Sequence, residues 1–159
     1  MQLSEIFLGL GEPALAQLLK SISLGKLKTF QLYERIEARL HVRKLNSETL
    51  KKAAPYAWQR LSEHDEDFAT EISQAILISH MDMIRAVLEE LHIPNEDGFF
   101  AKDLDAKQYL TEGWQQRVWD RFHDRFPAPV LLFYINHLGW ETAKQDFVFS
   151  PNAVTEAAQ

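Results

Sequence analysis

Apolar positions recur along this chain at helical rather than strand spacing. Ser4 is placed to cap a first short helix, with Leu3 set to meet Leu8 across its opening turn, and Gly9 and Gly11 end it. A second helix is expected from Pro13, a residue tolerated in a first helical turn, with Leu15, Leu18, Leu19 and Ile22 on one face before Gly25. From Lys26 to Leu45, a step of about 100° per residue puts Leu32, Tyr33, Ile36 and Leu40 on one side. The same projection gathers Lys28, Arg35, Arg39 and Arg43 beside them. Asn46 and Ser47 suit the cap of a further helix, which Pro55 either kinks or restarts.

Ser62 opens the longest helical pattern, with Asp65 three residues on and acidic residues through the first turns, where they favour the positive end of the helix dipole. Phe68, Ile72, Ile76, Met83 and Val87 form its main stripe. Leu77, Ile78, Met81, Ile84 and Leu88 spread apolar character nearly all round, which predicts a central helix covered on several sides until Pro94 ends it. Trp114, Val118, Phe122 and Phe126 mark another helix, and Leu131, Tyr134, Ile135 and Leu138 a last one. VLLFYI alone suits a buried strand, but the helical period continues through LGWETAK. Residues 146–159 read as an extended tail. The expected fold is all-α, a multi-helix bundle of about six to eight helices around a long central helix.

Charge changes this picture by dividing it. The 159 residues carry a net charge of −6, yet residues 1–61 hold ten Lys or Arg against five Asp or Glu, and residues 62–159 hold seven against eighteen. We therefore expect a basic N-terminal half, 1–61, and an acidic C-terminal half, 62–159, packed as one domain. The basic half would meet either an anionic partner or its acidic counterpart. The absence of Cys excludes disulfides, thiol nucleophiles and Cys-ligated metals. The opening MQLSEIFLGLGEP lacks a basic n-region and breaks its apolar stretch at Ser4, Glu5 and Gly9, so it makes a poor secretory signal and the expected compartment is the cytoplasm. The apolar runs fall short of the roughly 20 residues that span a bilayer, so no membrane association is expected.

Candidate chemistry is sparse. LHIPNEDGFFAKDLDA, residues 91–106, gathers carboxylates around Gly98, but aligning that glycine with a calcium loop puts Ile93 and Leu104 where the first ligand and the bidentate carboxylate belong. A type I turn fits better, with Phe99 and Phe100 anchored to a core and Asp105 capping the next helix. His64, His123 and His137 each have a carboxylate at helical spacing, and none sits in a recognisable metal motif, so no metal and no cofactor are expected. His80 differs: Ile76, Leu77, Met83 and Ile84 surround it at helical spacing, which makes it a ligand, a base or a hydrogen-bonded core residue. Trp119 projects to the edge of its aromatic stripe, and with His80 it is the candidate lining of a pocket. No GxSxG, SxxK, Walker or dinucleotide glycine pattern occurs, which weighs against an enzyme.

Lys28, Arg35, Arg39 and Arg43 form the candidate binding face, since cations along one helix side suit phosphate contacts. Glu34, Glu37 and Glu48 interrupt it, and no helix-turn-helix signature accompanies it. The leading expectation is a non-catalytic helical interaction or regulatory module, a homodimer or the partner of another protein. A nucleic-acid binder using the basic helix, and a small enzyme or ligand or metal sensor around His80, are the alternatives.

Overall fold

The computed structural model describes residues 1–101 and 103–151, and all structural statements below concern these. Ten α-helices, one 3₁₀ turn and a two-residue hairpin make up the described residues, so the architecture is all-α and multi-helical, with more and shorter helices than expected. The chain forms two compact units, Met1–Met81 and Asp82–Gln159. That boundary differs from the charge division at residue 61.

The first unit holds α1 (Leu3–Leu10), α2 (Glu12–Lys20), α3 (Leu24–Thr29), α4 (Tyr33–Leu40), α5 (Ser47–Lys52), α6 (Ala54–Ser62) and α7 (Glu66–Ser79). α7 is the central helix: α1, α3, α4 and α6 all pack on it, burying Phe68, Ile72, Ala75 and Ile76. Its N-cap is Asp65, whose side chain accepts from the Phe68 N–H at 3.0 Å, while Ser62 ends α6. Pro55 starts α6 in the first turn, where its missing N–H costs nothing.

The long pattern from residue 62 does not run through as one helix. It stops at His80, with φ −131° and ψ 39°, and resumes as α8 (Met81–Glu90). No Gly or Pro marks the break. Ser79 Oγ donates to the Ala75 carbonyl at 2.7 Å and accepts from the Ser23 N–H at 2.8 Å, so the α2–α3 connection competes for groups at the end of α7. A second unmarked break separates α3 from α4 at Gln31, φ 59°, where the Leu32 N–H donates back to the Leu27 carbonyl at 2.8 Å.

The second unit holds the rest of α8, the hairpin strands β1 (Asn95–Glu96) and β2 (Phe99–Phe100), the 3₁₀ turn Ala106–Tyr109, α9 (Trp114–Phe122) and α10 (Ala128–Ala143). α10 confirms the helical reading of VLLFYI, and buries Val130, Leu131, Phe133, Tyr134, Ile135 and Leu138. Residues 145–149 then turn back along α10 through hydrogen bonds to Asn136; the remainder of the expected tail, 152–159, lies outside the described residues. No helix among the described residues is long and apolar enough to cross a membrane.

Candidate functional site

The basic residues do not form one stripe, because the helix expected to carry them is two. Lys28 lies on α3 with its ammonium 5.1 Å from the centre of the Tyr33 ring. Arg35 and Arg39 lie on α4, and Arg43 follows it in a loop. Arg35 reaches Glu71 on α7 at 3.6 Å. Arg60 of α6 pairs with Asp65 and spreads its guanidinium over Tyr56 and Phe68 at 5.9 and 6.0 Å. The Phe68 N–H, then Arg60 and Arg39, hold the Asp65 carboxyl below the usual carboxylate range. Counted over the compact unit rather than the first 61 residues, ten Lys or Arg face ten Asp or Glu. Residues 62–81 thus bring the formal charge of Met1–Met81 to zero, and Glu71 among them pairs with Arg35.

His80 is held by a chain of hydrogen bonds. Its Nε2 lies 2.9 Å from Ser21 Oγ, and that hydroxyl sits 2.6 Å from the Leu18 carbonyl. The carbonyl only accepts, so it takes the hydroxyl proton; His80 then donates from Nε2, which fixes the tautomer. Burial holds its pKa below the usual histidine value, so the ring is neutral at pH 7. This supports a structural role, tying the end of α7 to the α2–α3 connection. Ser21→Ala removes the acceptor and is expected to cost about 1–2 kcal/mol, read as a lower urea midpoint. An unchanged midpoint would show that the bond contributes nothing net. Trp119, in the second unit, is half-buried and stacks on His123 with ring centres 5.5 Å apart and planes 18° apart.

The acidic loop is a hairpin. Asp97 and Gly98, with φ 52° and 94°, form the two-residue turn in the left-handed region, where glycine costs nothing and aspartate is tolerated. Asn95 Oδ1 accepts from the Gly98 N–H at 2.9 Å, and Asn95 Nδ2 donates to the Ile93 carbonyl at 3.0 Å. Its amide is therefore spent on the turn. The expected anchoring of Phe99 and Phe100 to a core is overturned: they are 55% and 37% exposed. Asp105 precedes a 3₁₀ turn rather than an α-helix, and its side chain makes no capping bond. Among the described residues, no three His, Asp or Glu side chains converge as a metal site requires.

A buried titratable group escaped the sequence reading in its consequence, though not in its pairing. His137 on α10 lies between Phe133 and Trp140, its ring centre 5.7 Å from each, with Nδ1 3.5 Å from Glu141 Oε2. Burial lowers the His137 pKa to about 4 and raises those of Glu141 and Tyr134. At neutral pH the histidine is uncharged, so its contact with Glu141 is not an ion pair. The chain matches no protein-family model, no curated protein and no solved structure.

Proposed function

We propose that this protein works by association rather than catalysis, as a helical interaction or regulatory module that forms a homodimer around its hairpin, which presents one phenylalanine on each of its two faces. The observation that carries this reading is the exposure of Phe99 and Phe100 on a two-residue hairpin fixed by Asp97-Gly98. Aromatic side chains are enriched at the centres of interfaces, and a rigid turn has already met part of the ordering cost that binding imposes. Glu96, Asp97 and Asp103 stand exposed around them, as the polar rim of an interface does. The nucleic-acid alternative ranks lower because Arg35 and Arg60 are occupied by carboxylates and the unit that holds them is formally neutral.

Sedimentation velocity over a wide concentration range tests the proposal. The wild-type protein is expected to be a dimer, and Phe99→Ser with Phe100→Ser to dissociate at least about tenfold more readily, since buried interface aromatics contribute upwards of 1 kcal/mol each. Both side chains are exposed, so helix content measured by circular dichroism stays unchanged. A strict monomer at every concentration that retains no partner protein overturns the reading.

A further inference from the structure

Arg117 carries a charge that the fold positions but does not neutralise. It lies in α9, and its guanidinium donates from Nη1 to the Glu112 carbonyl and from Nη2 to the Thr111 hydroxyl, each at 2.7 Å. Both acceptors are neutral. Among the described residues Arg117 makes no ion pair, whereas Arg121, one turn further on, lies 3.4 Å from Glu90. Two bonds thus hold a long side chain whose remaining N–H groups are free to donate. Little rotamer entropy is left to lose when an anion arrives.

The guanidinium forms part of the wall of a solvent-open groove of about 400 Å³, shared with Glu90, His92, Gln108, Tyr109 and Thr111. That volume suits a metabolite. Gln108 Nε2 donates to the Asp105 carbonyl at 3.0 Å, which leaves its amide oxygen as an acceptor. The groove therefore offers one cation without an ion pair, an acceptor on Gln108, and the second oxygen of the Glu90 carboxylate, whose Oε1 meets Arg121. A phosphate dianion would bring two negative charges to one guanidinium that has no ion pair, because Arg121 already meets Glu90. A carboxylate matches one guanidinium fork, and an ammonium matches the acceptors.

We infer that this groove binds a small zwitterion of the α-amino-acid class, its carboxylate on Arg117 and its ammonium towards Glu90 and Gln108. Such a site goes beyond association through the hairpin and stands without it.

Amide NMR spectra of the full-length protein, titrated with each standard amino acid, with acetate and with inorganic phosphate, test the site. At least one amino acid is expected to give saturable shifts confined to residues 90–92 and 108–117. Arg117→Gln should weaken that binding by about tenfold or more, and Arg117→Lys should not restore it, because an ammonium has no fork. Glu90→Gln should weaken amino acids but not acetate, and it preserves the inference as testable if Arg117→Gln fails to fold. No saturable shift with any amino acid, equal response to phosphate, or full binding by Arg117→Gln overturns it.

Discussion

Asn136→Ala is expected to destabilise the second compact unit by about 3 kcal/mol, the largest loss among the single substitutions considered. Asn136 is fully buried on α10, and every hydrogen-bonding position of its amide is filled. Nδ2 donates to the Leu132 carbonyl at 3.0 Å and to the Phe149 carbonyl at 3.2 Å. Oδ1 accepts from the Phe149 N–H at 2.7 Å and from Gln145 Nε2 at 3.0 Å. The Phe149 N–H can only donate, so the amide orientation follows from chemistry. Gln145, also buried, donates its second proton to the Phe147 carbonyl at 2.7 Å and accepts from Gln115 Nε2 at 3.2 Å.

Alanine at 136 leaves the part-buried Phe149 backbone and one proton of the buried Gln145 without their partners, and a stranded group costs about 1–3 kcal/mol where burial is complete. Gly139 belongs to the same construction. A Cβ there would overlap the Gln145 amide oxygen and come within 3.2 Å of Trp114 Cζ2, so the glycine makes room for the network rather than for a turn. Urea unfolding combined with hydrogen exchange at α10 and residues 145–149 measures the effect. Loss of exchange protection at 145–149 is expected even where α10 itself survives. Wild-type protection there would show that the amide network is incidental to how the chain returns along α10.

How much of this was legible in the sequence depends on what each feature answers to. Local periodicity located α10 and the apolar surface of α7 and gave a kink or a restart at Pro55, where α6 begins, because these follow from side-chain spacing and backbone chemistry alone. The breaks at Gln31 and His80 carry no Gly or Pro; at His80 the competing partners, Ser21 and Ser23, lie more than fifty residues away in sequence. The hairpin was readable. Asp-Gly is a strong two-residue turn signal, and adjacent strand residues point to opposite faces, so Phe99 and Phe100 could not both anchor to one core. The charge division at residue 61 answers to composition rather than to packing: Arg35 with Glu71 and Arg60 with Asp65 pair across it, within Met1–Met81. Nothing in the spacing marked Asn136 and Gln145 as a pair, nor Arg117 as lacking one, since each depends on a loop that sequence leaves unplaced.

Stability of the second unit is expected to fall by about 3 kcal/mol between pH 6.5 and pH 4 through His137 alone, its pKa being about 4 when folded against an ordinary 6.5. Because burial lowers the folded value, the unfolded chain takes up the proton first. The contribution is complete above pH 6.5, declines as pH drops and is exhausted below pH 4. Glu141 acts in the opposite sense: burial raises its pKa, so protonating it in acid relieves a cost and makes the net slope shallower than that of the histidine alone. Asp65 adds a loss of the same sign as His137 within Met1–Met81, but only as pH falls below the ordinary value of 3.8, outside this window. Tyr134 stays neutral throughout this range, since its pKa is raised. His137→Gln separates these contributions, leaving Asp65 and Glu141 in place while removing the histidine's proton. The difference in stability between pH 7 and pH 4 should therefore shrink in the variant by about 3 kcal/mol, the equivalent of the lowered pKa. Urea midpoints at the two pH values, read from resonances of α10, supply the comparison. A direct titration of the His137 ring signals decides the cause: a midpoint near 6.5 would mean that the ring reaches water and that burial between Phe133 and Trp140 does not govern its proton.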